Sequence, residues 1–354
     1  MQRAKRKLEH IKYALELGQG PALTHLADLR FLHNCLPEIN PADLDLSVTI
    51  LGKRLRLPFF IDAITGGTDA VTDINRKIAE VAANTGIGMA VGSQYGAVRD
   101  KSGSASYKVV REKYTDGLVF ANISALATPL QAQAAVDMLK ADALEIHLNT
   151  AQELWMREGD KEYAGLLENM LKIKESLSVP VVVKETGCGI AAEQYRLFAE
   201  YGFFAFDCAG AGGTNFSAIE AKRQNIKLNE EFLSWGVPTC WSLLDAQHIL
   251  TSDKLLLASG GIYTAAEAVR AFALGADAVA VTGPVLKLII EEGIESAISF
   301  FNILAEEIKS YLLLLGCKTP YALRQVPLII TGDTSSFIKN RGYDLHKISQ
   351  ERRS

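Results

Sequence analysis

Residues 254–283 read "KLLLASGGIYTAAEAVRAFALGADAVAVTG". An apolar run ends in Gly260-Gly261, and Thr264 then stands where a helix N-cap belongs. The following "TAAEAVRAFALG" carries its apolar residues at helical spacing, and a second β-rich run, "DAVAVTG", closes on Thr282-Gly283. Strand, glycine turn, amphipathic helix and strand make a βαβ unit, whose two strands run parallel. Loops of this kind suit a phosphate, because glycine lets a ligand approach the backbone N–H groups closely. The ordinary alternative is a pair of glycine turns serving only the fold.

Moving outward, the same unit recurs. From about residue 57 the strand candidates are "PFFIDAIT", "IGMAVGS", "LVFANIS", "ALEIHLN", "VPVVVKE", "FFAFDCA", "KLLLASGG" and "DAVAVTG". Between them lie amphipathic segments such as "TDINRKIAEVAANT", "PLQAQAAVDMLKA" and "AAEQYRLFAEY". The stretch after the second strand is longer, rich in charge and Ser, and reads as irregular. An eight-fold alternation over roughly 250 residues points to an α/β fold, the (β/α)₈ or TIM barrel. A doubly wound open sheet competes, but no G-x-G-x-x-G follows the first strand. Residues 1–56 form an N-terminal extension with a helix around "AKRKLEHIKYALEL". Residues 57–354 hold the barrel, a long helix "LKLIIEEGIESAISFFNILAEEIKSYLLLLG" and a tail that ends in a solvated "HKISQERRS". The whole reads as a single domain.

The bulk composition excludes several classes. Of 354 residues 48% are hydrophobic and 22% charged, and the formal net charge is −4. No global basic field recruits nucleic acid or an anionic membrane. The longest apolar stretches are interrupted by charges, Gly or Pro, so no membrane span is expected. Cys35, Cys188, Cys208, Cys240 and Cys317 are odd in number and form no CxxC pair, which suits a reducing, cytoplasmic setting. The basic N-terminus is followed by no apolar region and is not a secretory signal. An anionic small molecule stays open as a partner, since a local cluster can override the global sign.

A barrel gathers its active site at the carboxyl ends of its strands. Here those ends carry Thr65-Gly66-Gly67, Gly92-Ser93-Gln94, Asn122, His147 and Asn149, Lys184-Glu185, Ala209-Gly210, Gly260-Gly261 and Thr282-Gly283. "DCAGAGGTNFSAIEAKR" brings a run of small residues and Thr214, which lets backbone pack against a flat or phosphorylated ligand, or else forms a linker. Lys184 ends an apolar run and is costly there unless it meets an anion; a snorkelling lysine or a Glu185 partner is the alternative. In "ALEIHLNTAQE", His147 and Asn149 share a strand face, with Gln152 and Glu153 just beyond. Imidazole and amides suit an anion, and a lone carboxylate suits Mg²⁺ completed by water and substrate phosphate. A hydrogen-bonded turn around a core histidine is the ordinary reading. By its charge, "RAKRKLEH" is a basic helix start.

Together, "RKLEHI", "TGGT", "VGSQ", "ANIS", "HLNTAQE", "VVKETGCGI", "AGAGGTNFSAIEAKR", "ASGGI" and "LRQVPLIITGD" resemble the type 2, FMN-dependent isopentenyl diphosphate isomerases, in order and over almost the whole chain. The paired motifs HLNxxQE and GGTxxxxIExxR are the most specific part. The resemblance implies FMN held by Ala63, Ile64, Thr65, Ser93, Asn122, Lys184 and Thr214, with its phosphate on Gly260, Gly261, Ile262, Thr282 and Gly283. It implies a substrate diphosphate on Arg6, Lys7, Ser93, His147 and Asn149, with Gln152 beside the reacting carbons as the catalytic residue and Glu153 binding Mg²⁺. The basic helix start thereby becomes a substrate-binding arm. The chain departs from the family at Ile64, Tyr95, Thr150, Arg157, Thr282 and Asn215-Phe216, where Met, Arg, Pro, Pro, Ala and Ser-Trp are frequent.

Isomerisation of isopentenyl to dimethylallyl diphosphate adds one proton and removes another. The strand ends offer no evident Asp/Glu pair for that work, and Gln152 is a poor acid. The resemblance implies that reduced FMN handles the proton, that Lys184 stabilises the anionic ring, and that NADPH prepares the flavin without being consumed each turnover. The acidic pI of about 5.9 and the barrel suit a homo-oligomer, a tetramer or octamer. Another FMN barrel enzyme (a dehydrogenase or hydroxy-acid oxidase) and a non-catalytic flavin- or phosphate-binding sensor are the alternatives.

Overall fold

Eight parallel strands close in chain order into a barrel: β1 (Phe59–Ile61), β2 (Gly88–Ala90), β3 (Val119–Ser124), β4 (Ala143–Leu148), β5 (Val181–Glu185), β6 (Ala205–Asp207), β7 (Leu255–Ala258) and β8 (Ala278–Ala280). The closing pair sets Val279 opposite Phe59 and Ala280 opposite Phe60. The computed structural model describes residues 2–100 and 103–350, the side chains of 2–4 excepted. All eight expected strands are present, so the (β/α)₈ reading holds and the open sheet is excluded.

Local chemistry explains the crossovers. The helix Ala265–Ala273 starts on a Thr264/Glu267 capping box, and Pro129–Leu139 starts on a Thr128/Gln131 box with proline at its first position. The helix Thr72–Thr85 stops at Gly86, whose φ of 69° is the left-handed C-cap geometry.

Two expectations need correction. The segment after β2 is not irregular: it holds the helices Tyr95–Asp100 and Ala105–Lys113, the latter burying Tyr107 and Val110 behind a surface of Lys and Arg. The long C-terminal helix is two helices, Gly283–Glu291 and Ile294–Leu315, broken at Gly293, which takes a φ of 98°. In the tail, Leu345–Ser349 is helical, and residues 351–354 lie outside the described residues.

The N-terminal helix runs Gln2–Leu17. Further along, Leu29–Phe31 pairs antiparallel with Leu328–Ile330, tying the extension to the tail. A hairpin of Val48–Ile50 and Lys53–Leu55 closes the floor of the barrel, its Ile50 and Leu55 packing in one cluster with Phe60, Phe120, Val182 and Leu257. The Phe60 and Phe120 rings lie 4.8 Å apart within that floor. Gly88 makes room for them, since a Cβ there would come within 2.1 Å of the Phe60 ring.

Side chains alternate along a strand, so the interior has layers. Phe60, Phe120, Ala143, Val182, Ala205 and Leu257 fill the floor layer. Two residues further along each strand the inward position is Asp62, Asn122, Glu145, Lys184, Asp207 or Ser259. The barrel turns from oil to charge in one step of the pleat.

Candidate active site

Above the charged layer, at the carboxyl ends of the strands, opens a cavity of about 650 Å³. Its wall includes Arg6, Lys7, Ala63, Ile64, Ser93, Asn122, His147, Asn149, Gln152, Glu153, Lys184, Thr214, Gly260, Gly261, Thr282 and Gly283. They are spread along the chain from Arg6 to Gly283, and the barrel brings them together. Thr65 and Ile262 lie behind the wall, each 1% exposed, and do not line it. Thr65 Oγ1 is buried without a hydrogen-bond partner.

The cavity's floor is an ion cluster. Lys184 Nζ lies 2.5 Å from Asp62 Oδ2 and 2.7 Å from Asp207 Oδ2, all but sealed from solvent. Burial alone would lower the Lys184 pKa, but Asp207, Asp62 and Glu145 together hold it well above the usual lysine range. Burial raises Asp207 to about 6 against the pull of Lys184, and raises Glu145 well above the usual carboxylate range. Ser259 donates to Asp207 Oδ1, and Asn122 Nδ2 donates to Glu145 Oε2. The anion expected to meet Lys184 is thus supplied first by the protein itself.

The end of β4 departs from the expected geometry. The strand stops at Leu148, so Asn149 does not share its face with His147; it precedes the short helix Thr150–Trp155. From there Asn149 Nδ2 donates to Gln152 Oε1 (3.2 Å) and Glu153 Oε1 (2.9 Å). Glu153 Oε2 accepts the backbone N–H of Asp160 at 2.9 Å. Burial pushes Glu153 above the usual carboxylate range, against these hydrogen bonds. Such a half-buried carboxylate suits a cation. Among the described residues, the one trio of clustered metal-type ligands is Asp62, Glu145 and Asp207, which already surrounds the Lys184 ammonium. A divalent ion on Glu153 would therefore take its remaining ligands from water and substrate.

Several participants were not expected from sequence. Glu220 is fully buried in the helix Phe216–Gln224 and receives Gln152 Nε2 at 3.1 Å and His10 Nε2 at 2.7 Å, besides the Arg223 guanidinium. Hydrogen bonds from His10 and Gln152 and the Arg223 charge overcome its burial and hold its pKa low. Glu220 and His10 thereby fix both Gln152 and the N-terminal helix. Asp62, Glu145 and Asp207 were also missed, although each is an acid inside an apolar strand run. The expectation of no carboxylate pair is corrected: carboxylates are present, but Lys184 and Asn122 engage them. Where Tyr95 replaces an arginine, Arg99 stands one turn on and lines the same wall, 5.8 Å from the Tyr95 ring.

On the opposite side, the helix Gly283–Glu291 points its first turn at the cavity with no side-chain cap, because the Thr282 hydroxyl accepts from Asp62 N instead. Uncapped N–H groups and the helix dipole suit that end to an anion. Glycines there also serve packing. A Cβ on Gly261 would meet Gly212 O at 2.3 Å, and one on Gly213 would meet Gly261 N at 2.6 Å. The loops after β6 and β7 interlock backbone to backbone, which a flexible linker could not do.

Barrel, phosphate-type helix end and charged floor define a class. The FMN-dependent dehydrogenase family matches residues 167–329. A mandelate oxidase solved with 3,3-difluoro-2-hydroxy-3-phenylpropionic acid superposes with a TM-score of 0.65 at 18% identity, covering 92% of this chain and 91% of that one. Another, with (S)-4-hydroxymandelic acid, gives 0.64 at 15%, covering 89% and 93%. At such identity the likeness shows the fold alone. Full-length relatives go further, and by them the chain belongs to the isopentenyl-diphosphate delta-isomerase family. The protein of that name from Geobacillus sp. is 41% identical over 346 residues, 97% of this chain and 98% of its own length. Those from Bacillus licheniformis (44%, 97% and 98%) and Symbiobacterium thermophilum (40%, 97% and 97%) agree.

Proposed function

We propose that this enzyme interconverts isopentenyl diphosphate and dimethylallyl diphosphate for isoprenoid biosynthesis, with FMN and Mg²⁺ as cofactors. The observation that carries the reading is full-length identity of 40–44% to relatives named for that activity. The gathering of Arg6, Lys7, His147, Asn149, Gln152 and Glu153 on one wall supports it.

FMN fits this wall. The uncapped helix end beside Thr282 and Gly283, with Gly260 and Gly261, suits its phosphate, and Ala63, Ile64, Ser93, Asn122, Lys184 and Thr214 are proposed to hold the rest. Bound in its reduced form, FMN supplies the proton donor and acceptor that Gln152 cannot. The chain's own residues position the substrate. Arg6 and Lys7 close over the diphosphate from the N-terminal helix, and Ser93, His147 and Asn149 hold it from the barrel. Glu153, through Mg²⁺, neutralises the diphosphate and discourages its loss as a leaving group. Gln152, held by Asn149 and Glu220, fixes the reacting carbons. NADPH is the proposed reductant, outside turnover.

Among the described residues no helix is long and apolar enough to cross a membrane. A cytoplasmic homo-oligomer, tetramer or octamer, is proposed from the scattered cysteines, the acidic pI and the barrel.

The test is incubation of the purified protein with isopentenyl diphosphate, FMN, Mg²⁺ and excess NADPH. Dimethylallyl diphosphate forming in large excess over NADPH lost is the expected result. A second reading, an FMN-dependent oxidoreductase, is favoured by the family match over residues 167–329 and by the mandelate oxidase fold. It requires one equivalent of oxidant per turnover. A sensor would show neither.

A further inference from the structure

His147, Asn122 and Glu145 form a hydrogen-bonded chain from the cavity into the barrel. Asn122 Nδ2 donates to Glu145 Oε2 at 2.8 Å, which leaves Oδ1 as the other polar end of the amide. That oxygen lies 2.8 Å from His147 Nδ1. A carbonyl oxygen only accepts, so Nδ1 must carry the hydrogen. A neutral imidazole has one N–H, and here it is spent inward. Nε2, the nitrogen left for a ligand in the cavity, then offers a lone pair, which repels a phosphate oxygen.

We propose that binding of a diphosphate at this wall draws one proton onto His147, and that the Glu145–Asn122 pair is the positioning device that makes the proton necessary. The inference rests on the cavity being a diphosphate site. Without a ligand the proton is absent: burial, then Lys7 from the N-terminal helix and Lys184 from β5, push His147 down to about 3. Among the described residues, these two ammonium groups are the charges that act on the ring. Glu145 acts on it through Asn122, and Ser124 is its cross-strand neighbour on β3. One negative charge about 4 Å away, at an effective dielectric near 20, raises the proton affinity of an imidazole about a thousandfold. A diphosphate brings more than one such charge. Nε2–H of the resulting imidazolium becomes a charge-assisted donor to it.

Glu145 is suited to its part. It is fully buried, so its Oε2 meets Asn122 and no competing water. Oε1 has no hydrogen-bond partner, and burial with the neighbouring Asp62 and Asp207 raises the Glu145 pKa, so a proton that Glu145 takes up has Oε1 to sit on. With Oε2 left as acceptor, the amide keeps its orientation, and with it the histidine tautomer. Reversal of that amide is the competing arrangement: Glu145 would then donate to Asn122 and His147 would present a neutral Nε2–H.

Calorimetric titration of the FMN-bound enzyme with inorganic diphosphate, near pH 6 in buffers of different ionisation enthalpy, counts the protons. Wild type is expected to take up about one proton more than His147→Gln. Side-chain ¹⁵N spectra of histidine-labelled enzyme are expected to show His147 as the Nδ1–H tautomer when free and doubly protonated when diphosphate is bound. That readout needs no variant. Equal proton counts, or a free His147 already protonated on Nε2 alone, overturn the inference while leaving the diphosphate site standing. Failure of diphosphate to bind at all overturns the site reading, and the inference with it.

Discussion

Replacing Lys184 with methionine keeps the length of the side chain and strips the cation from two buried acids. In the native protein Asp207 is raised to about 6 from an ordinary 3.8. An acid raised in the folded state contributes stability that is fully present below about 3.8 and is lost as pH climbs through about 6. Above that pH the loss stops, because Lys184 at 2.7 Å holds the carboxylate in its charged form. Without the lysine Asp207 must stay protonated, and the loss continues at about 1.4 kcal/mol per pH unit. At pH 8 the variant should therefore be about 3 kcal/mol less stable on account of Asp207 alone, the size expected when one partner leaves a buried ion pair. Near pH 5.5 the part of the loss that comes from Asp207 should nearly vanish. Urea unfolding at both pH values, followed by tryptophan fluorescence without added FMN, reads the difference free of ligand linkage. A loss below about 1 kcal/mol at pH 8, or the same loss at both pH values, would refute the ion-cluster account.

Deleting residues 1–8 should raise the KM for isopentenyl diphosphate at least about tenfold with FMN still bound, since Arg6 and Lys7 supply charge-assisted contacts; an unchanged KM would reduce the arm to a helix start. Glu153→Gln should shift the Mg²⁺ requirement and cost on the order of 3 kcal/mol or more in kcat/KM. Gln152→Ala should lower kcat with little change in Mg²⁺ dependence, and identical Mg²⁺ curves for the two variants would mean that the metal is held elsewhere. Gly88→Ala should destabilise the barrel by about 1–3 kcal/mol through overpacking against Phe60, visible as a lower Tm; an unchanged Tm would show that the floor can yield.

The fold was legible because its signal repeats. Each βαβ unit restates a β-rich run, a polar turn and a 3.6-period helix, so an error in one unit is outvoted by seven others. The misread parts carry no such repetition. Tyr95–Asp100 and Ala105–Lys113 are short helices with a sparse apolar face, and their stability comes from tertiary burial, of Ala97 in the first and of Tyr107 and Val110 in the second. Gly293 looked tolerable inside a long apolar pattern, and its backbone turn was invisible in residue types alone.

The site was legible at the rim and hidden one layer below. Rim residues announce themselves as polar groups at strand ends, which is how His147, Gln152 and Glu153 were found. Asp62, Glu145 and Asp207 do not end a motif; each interrupts an apolar run by one residue. The period of two held the missing information. Phe60 and Asp62, Phe120 and Asn122, Ala143 and Glu145, Val182 and Lys184, Ala205 and Asp207 are the same step on five strands, from an apolar inward position to a polar one. No single strand shows why a charge belongs there, because a buried acid is unfavourable until its partner is placed. That partner lies 122 residues away for Asp62 and Lys184, and only closure of the barrel brings the two together. A sequence can therefore reveal a ring of inward polar positions before it reveals what balances them. In this protein the balance is one lysine among three acids, and the cavity's chemistry is built on top of it.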